Sequence, residues 1–138
     1  MTRKIARENA FLLMFEGVCK KDETGEEIFT KAVEVRELEV DEYVKQVFFG
    51  SYANIQIIDE VIEKCLKGWK KERISPVSLA VLRLATYEMM FMEDIPARVS
   101  INEAVELCKK YDDEKAYSFV NGVLHKVSCE VGEKNAEG

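Results

Sequence analysis

Three cations, Arg3, Lys4 and Arg7, lie close together near the amino terminus, with Glu8 as their only acidic neighbour. Guanidinium and ammonium groups grouped in this way can bind the phosphates of a nucleic-acid backbone. The same pattern is also typical of a solvated helix end. The whole chain has a formal net charge of −6, so bulk electrostatics would not hold a nucleic acid. We therefore treat these three residues, called the basic arm, as a candidate local phosphate-binding surface.

Residues that support catalysis or metal binding are sparse. The only histidine, His125, precedes Cys129 by four residues, and two ligands are not enough to close a metal site. The sequence has no phosphate-binding glycine loop, dinucleotide-binding motif, zinc-protease motif or serine-hydrolase elbow. We therefore expect a protein that is not an enzyme and that uses no metal or cofactor.

The cysteines are far apart, never form a CxxC pair and fall within apolar-periodic segments. We expect them to be buried, reduced thiols rather than disulfides or zinc ligands. The positions concerned are Cys19, Cys65, Cys108 and Cys129. The chain has no apolar run long enough to cross a bilayer, and its amino terminus lacks the continuous apolar segment and cleavage site of a signal peptide. These features predict a cytoplasmic protein.

The element that must position the candidate residues is the segment from Ser75 to Phe91, which is apolar on nearly every side of a helix. Ser75 is a good N-cap residue, and Pro76 suits the first helical position. A helix that is apolar all round must be enclosed by other helices. We therefore expect a central helix near residues 76–91.

Two charges interrupt this central helix, Arg83 and Glu88. A spacing of five residues places them about 140° apart around the helix, so they should not pair with each other. Each must have its own partner if it enters the core. We expect Arg83 to bridge to a neighbouring helix through Glu103 or Glu106.

Apolar residues recur every three or four positions along the rest of the chain, and no segment alternates with the period of a strand. Capping-box spacings begin at Thr24 and Ser100, and Asp112 or Asp113 should cap the last helix. Gly50 and Ser51 are the natural place for the third and fourth helices to bend or break, and a single continuous helix is the alternative. The pattern predicts an all-α fold of about seven helices, near residues 2–18, 25–38, 41–52, 54–68, 76–91, 101–111 and from 113 past 127. We expect residues 1–132 to form a single domain and residues 133–138 a polar, disordered tail.

Four phrases stand in the order and spacing of one known family. They are ARENAFLLMF (6–15), WKKERISPVSLAVLRLATYEM (69–89), IPARVSINEAVELCKKY (95–111) and KAYSFVNGVLHKV (115–127). Over nearly its whole length, apart from the second helix, the chain resembles the NusB family of transcription antitermination factors. This resemblance implies two small helical bundles that share one core.

The resemblance also implies a function. The family binds the boxA sequence of nascent ribosomal RNA leaders, usually together with the ribosomal protein NusE, and joins RNA polymerase with NusA and NusG. Because boxA is single-stranded, it is recognised by stacking, base-edge hydrogen bonds and backbone cations. The family's RNA-facing positions fall on Arg3, Lys4, Arg7, Tyr111, Lys115 and Phe119. The basic arm carries fewer cations than in many family members, so we expect weak RNA binding in the absence of NusE.

Within this set, Lys115 is expected to bind a phosphate and Tyr111 to stack on a base, while Phe119 either contacts RNA or belongs to the core. The family phrase FVNG also includes Asn121 and Gly122. We expect these two to be structural, with Gly122 allowing another helix to approach closely.

Two alternatives remain open. The first is a homo-oligomeric scaffold, such as a homodimer, whose interface buries the basic arm. The second is an RNA-binding module related to the domains that precede the catalytic part of certain ribosomal RNA cytosine methyltransferases. Nothing follows Gly138 in this sequence and no cofactor loop is present, which favours a free-standing factor.

Overall fold

The computed structural model describes residues 1–68 and 70–132 in full, and the helical backbone of residues 133–137. This part of the chain contains no strand, so the predicted all-α class is confirmed. A short 3₁₀ helix, Lys71–Arg73, precedes the central helix. The α-helices of the described chain are α1 (Arg3–Cys19), α2 (Gly25–Glu34), α3 (Glu42–Ala53), α4 (Ile55–Lys64), α5 (Pro76–Phe91), α6 (Ala97–Tyr111) and α7 (Glu114–Glu137).

Helix α5 is the centre of the fold, as its apolar sequence predicts. The hydroxyl of Ser75 accepts a hydrogen bond from the Ser78 N–H at 3.1 Å, so Ser75 caps the helix as expected. Helix α5 packs against α1, α3, α4, α6 and α7. The amino-terminal helices α1, α3 and α4 and the carboxyl-terminal helices α6 and α7 therefore enclose α5, whereas α2 packs on α1 and α3.

One continuous apolar core joins the two sets of helices. Its largest fully buried side chains come from different helices and include Phe11, Phe48, Leu82 and Leu124. Gly50 lies inside α3, where a Cβ atom would collide with the side chain of Tyr87 on α5. Glycine is therefore required here by the close approach of α3 and α5.

Several helix boundaries differ from the predicted ones. The break between α3 and α4 comes at Asn54, one residue after the gap between the predicted helices, and Gly50 and Ser51 stay inside α3. The Asn54 side chain donates a hydrogen bond to the Gly50 carbonyl at 2.8 Å. Helix α6 begins at Ala97, one turn earlier than the Ser100 capping box predicts. The reason is that the Ser100 hydroxyl does not cap the helix but donates to a buried carboxylate of α5, that of Glu88.

The thiols divide into two groups. Cys65 and Cys108 are buried, and burial raises the pKa of Cys108 to about 12. Cys19 and Cys129 are exposed, so the expectation of burial is wrong for these two, which lie at the solvent-facing edge of their helices. All four are free thiols.

No helix in the described part of the chain is long and apolar enough to cross a membrane. Ile74, in the link before α5, packs against the core, and the sequence suggests the same for Trp69, which lies outside the described residues. Helix α7 is assigned as far as Glu137, and the side chains of residues 133–138 are outside the described set. The disordered tail predicted there stays a prediction.

Candidate nucleic-acid interface

The basic arm forms the first two turns of α1. Thr2 caps this helix, because its hydroxyl accepts a hydrogen bond from the Ile5 N–H at 3.2 Å. Arg3 and Lys4 are exposed but point to different neighbours. The guanidinium of Arg3 lies over the ring of Tyr43 at 4.4 Å from its centroid, whereas Lys4 lines a groove between α1 and α6. The fold therefore separates the two outer cations of the basic arm.

Arg7 does not lie on the surface with the other two. Its side chain is only 4% exposed, and its Nε donates to Glu88 Oε2 at 2.8 Å. Its Nη1 also lies 3.5 Å from an oxygen of Glu103. Burial opposes the charge of Arg7, but the hydrogen bond and charge of Glu88 outweigh it and raise the pKa of the guanidinium.

Glu88 is fully buried and is the centre of a polar network. Besides the guanidinium of Arg7, it accepts hydrogen bonds from the Tyr43 hydroxyl and, at 2.7 Å, from the Ser100 hydroxyl. Burial and the nearby carboxylate raise the pKa of Tyr43, so its hydroxyl stays protonated and donates. The network joins α1, α3, α5 and α6. We therefore assign Arg7 a structural role and leave it out of the RNA contacts that we propose below.

The second charge of the central helix has a different partner. Arg83 forms a bidentate salt bridge with Asp59 of α4, in which its Nε and Nη2 each donate a hydrogen bond at 2.9 Å to a different carboxylate oxygen. Arg83 and Glu88 have separate partners, as their spacing predicts. The expected pairing of Arg83 with Glu103 or Glu106 is wrong, because Arg83 faces α4 whereas those carboxylates lie on α6.

We call the depression between α1 and α6 the α1/α6 groove. Its lining residues are Lys4, Arg7, Glu8, Glu103, Glu106, Leu107, Lys109 and Lys110. Its cations are largely paired with its own carboxylates. The ammonium of Lys110 lies 2.7 Å from Glu8, whose hydrogen bond raises the pKa of Lys110, and Lys109 lies 3.6 Å from Glu106.

Tyr111 lies at the end of α6, close to this groove. Its ring packs at 5.0 Å, between centroids, against the buried ring of Phe11. It keeps 37% of its surface exposed. The Lys110 ammonium also lies 5.4 Å from its ring centroid. Tyr111 is therefore held by the core on one side and accessible on the other, which suits a residue that stacks on a base.

The connection from α6 to α7 is fixed by two aspartates. Asp112 accepts hydrogen bonds from the hydroxyls of Ser75 and Ser78, at 2.6 and 3.2 Å, and so ties the connection to the start of α5. Asp113 caps α7, because its carboxylate accepts the Ala116 N–H at 2.8 Å. These contacts set the position of the first turns of α7, which carry the remaining candidate residues.

A second groove, of about 480 Å³, lies beside α7 and the end of α4, and we call it the α4/α7 groove. Its lining residues are Cys65, Lys67, Lys115, Ser118, Phe119, Gly122, Val123 and Lys126. The three lysines are exposed, and none of them forms an ion pair with any residue that the structure describes. Its lining, as far as the structure describes the chain, includes no carboxylate. Phe119 is half-buried and packs against the core, so it contributes to the groove and to the core at once.

The structure brings Lys115 and Phe119 together in this groove, with Tyr111 at the other end of the α6–α7 connection. Sequence reasoning missed Lys67 and Lys126. Lys126 could have been predicted from helical spacing, because positions 115, 119, 122 and 126 share one face of a helix. Lys67 could not, because it reaches the groove from the loop after α4, and no local sequence pattern relates it to α7.

The expected structural roles of Asn121 and Gly122 are not what the fold shows. Both residues are exposed on α7, and a Cβ at Gly122 would meet nothing within 4 Å. Within the described residues, no other helix approaches α7 at Gly122. His125 and Cys129 are also exposed, and no group of three candidate metal ligands exists among the described residues.

Known proteins are similar to this chain in both sequence and fold. The NusB family model matches residues 4–128. The transcription antitermination protein NusB of Clostridium botulinum (strain Kyoto / Type A2) is 44% identical, over 92% of this chain and 99% of its own. The protein of the same name from Clostridium perfringens (strain SM101 / Type A) is 48% identical, over 92% of this chain and 96% of its own.

Two solved structures are also similar. T. maritima NusB is 34% identical, with a TM-score of 0.82 over 94% of this chain and 92% of that one. A chain from a crystal structure of the antitermination factors NusB and NusE in complex with dsRNA is 33% identical. Its TM-score is 0.81, over 93% of this chain and 96% of that one. Because sequence and fold agree over nearly the whole length, the chain belongs to the NusB family of transcription antitermination proteins and is not an enzyme.

Proposed function

We propose that this protein binds boxA-type single-stranded RNA of nascent ribosomal RNA transcripts together with the ribosomal protein NusE. In this proposal the pair acts in the cytoplasm, in a complex with NusA, NusG and elongating RNA polymerase. Family membership supports the antitermination role. The similar structure that holds NusB, NusE and dsRNA supports the two partner classes, a NusE protein and RNA.

The observation that carries the proposal is the surface around the α6–α7 connection. At the start of α7, Lys115 is exposed and forms no ion pair with any residue that the structure describes, and the ring of Tyr111 at the other end of the connection is accessible. Single-stranded nucleic acids are bound by this combination, since phosphates pair with the cations and bases stack on aromatic faces. The proposed contacts are Tyr111, Lys115 and Phe119, with Lys4 and Arg3 as outer contacts of the basic arm.

The arrangement also supports a need for the partner. The proposed phosphate-binding cations are Arg3, Lys4 and Lys115, and all three are exposed. Three phosphate contacts would give a slope of log affinity against log salt of only about −2 on single-stranded RNA, at roughly −0.7 per contact. Such a surface binds weakly alone, so NusE supplies much of the affinity.

Fluorescence anisotropy with a labelled boxA oligoribonucleotide and a scrambled oligonucleotide tests the proposal. Each is titrated with this protein, with and without purified NusE protein. We expect boxA binding to be far tighter with NusE than without it, and tighter than binding of the scrambled oligonucleotide. Equal affinity for both oligonucleotides in the presence of NusE would contradict the RNA-specific function. Light-scattering mass measurements on the same samples separate a heterodimer from a homodimer.

A further inference from the structure

Gly122 lies in the middle of α7, where glycine costs helix stability relative to alanine because the unfolded chain loses more conformational freedom. In the described structure, nothing in the protein itself explains this cost. The backbone angle is not in the left-handed region, and a Cβ would point into open space. The open space above Gly122 leaves room for a ligand to approach the helix backbone, and because Gly132 offers the same space, the charges around Gly122 must distinguish the two positions.

The residues around Gly122 indicate the chemical class of that ligand. Lys67, Lys115 and Lys126 line the same groove, and no carboxylate is among the lining residues that the structure describes. None of these lysines forms an ion pair with a described residue, although the chain has a net charge of −6. A groove lined by three cations is complementary to a polyanion such as a nucleic-acid strand.

We propose that the RNA backbone continues into the α4/α7 groove and lies against the surface of α7 at Gly122, with phosphates bound by Lys67 and Lys126. The missing side chain at position 122 lets the strand approach the helix backbone closely enough for both lysines to reach it. These three residues extend the contacts made by Lys115 and Phe119 by about two helical turns. The inference rests on the proposed function, because it assumes that the protein binds single-stranded RNA.

The steric part is tested by Gly122→Gln, with Gly132→Gln as its matched control. Both glycines lie on α7, are exposed and have open space around a Cβ, but Gly132 is outside the α4/α7 groove. Glutamine is a good helix former, so we expect neither variant to lower the melting temperature. In the presence of NusE, we expect Gly122→Gln to bind boxA RNA about tenfold more weakly, the loss of about one good contact. Gly132→Gln should bind like the wild type.

The electrostatic part is tested by Lys67→Gln and Lys126→Gln. Each should lower the magnitude of the slope of log affinity against log salt by about 0.7, the contribution of one phosphate contact on a single strand. Lys21→Gln is the control, because Lys21 is an exposed lysine in the turn between α1 and α2, far from α7 in the chain. It changes the net charge equally and should leave the slope unchanged.

The outcomes separate the two levels of the proposal. If the wild type with NusE does not bind boxA RNA, the proposed function fails. If the wild type binds and all three groove variants bind with wild-type affinity and salt slope, the inference about this groove is overturned and the function stands. Weaker binding of NusE, with unchanged RNA binding by the preformed pair, would also overturn it, because the groove would then be a protein contact. Should Gly122→Gln unfold the protein, the two lysine variants decide the question.

Discussion

The α1/α6 groove and the α4/α7 groove each contain three lysines, yet they offer different surfaces to an anion. In the first, Glu8 and Glu106 lie within 2.7 and 3.6 Å of Lys110 and Lys109. In the second, none of the described lining residues is a carboxylate. A phosphate that enters the first groove must compete with an internal anion, whereas the second groove is open to it. The number of cations therefore matters less than the position of the carboxylates beside them.

A second difference concerns what lies beneath each surface. Under the α1/α6 groove, the buried pair of Arg7 and Glu88 is the centre of a hydrogen-bond network that joins four helices. Under the α4/α7 groove, the floor is made of apolar groups such as Val123 and part of Phe119. The charge in the first region is mainly structural, and the charge in the second is accessible. The predictions below test this division.

The largest effect is expected on stability, from breaking the buried pair. Arg7→Met leaves the carboxylate of Glu88 buried without its cation, which typically costs about 3–5 kcal/mol in the free energy of unfolding. Urea denaturation followed by circular dichroism measures this change. The control is Lys4→Gln, on the exposed face of the same helix, which should change stability by less than about 0.5 kcal/mol.

The double variant Arg7→Met/Glu88→Gln should recover part of the loss, because it removes both charges together. A single Arg7→Met variant as stable as the wild type would show that the pair is not structural. In that case Arg7 would return to the list of candidate RNA contacts.

A smaller effect is expected on RNA binding from single lysines. Lys115→Gln removes an unpaired cation, so the salt slope of boxA binding should fall in magnitude by about 0.7. The double variant Glu8→Gln/Lys110→Gln removes a cation and its paired anion, so affinity and slope should stay near the wild-type values. Anisotropy titrations over a range of salt concentrations measure both. A loss of affinity in the double variant equal to that of Lys115→Gln would mean that the two grooves are equivalent.

The smallest effect is expected from Glu8→Gln alone. This change frees the Lys110 ammonium from its internal partner, so RNA affinity should rise by about two- to threefold at low salt and return to the wild-type value at high salt, where the charges are screened. The same titrations detect the gain. A Glu26→Gln variant, exposed on α2, is the control for a general loss of negative charge. If both variants gain equally, the effect is a property of net charge and not of the α1/α6 groove.

Much of the fold could be predicted because it depends on local signals. Ser75 and Pro76 start α5, Thr2 caps α1 and Thr24 caps α2, as their positions before apolar-periodic segments indicate. The failures occurred where a side chain had a tertiary partner. Ser100 has the spacing of a capping residue, but Glu88 takes its hydroxyl, and α6 begins earlier.

The candidate site was only partly predictable for the same reason. The family resemblance gave Tyr111, Lys115 and Phe119, and the structure places them around the α6–α7 connection. The resemblance also predicted Arg7 as an RNA contact. Nothing in the local sequence indicates that the partner of Arg7, Glu88, lies 81 positions away on the central helix. Lys67 also gave no signal, because its position beside α7 depends on how α4 packs.

The sequence by itself determined the helical class, the central position of α5, the family and the need for Arg83 and Glu88 to have separate partners. The helical class, the position of α5 and the separate partners follow from periodicity, capping and spacing, which act over a few residues, whereas the family follows from the four phrases that resemble it. The tertiary structure alone decided which cations are buried, which are neutralised and which converge in one groove. Those outcomes depend on side chains that come together from distant parts of the chain, and electrostatic energies depend on that distance and on burial rather than on order in the sequence.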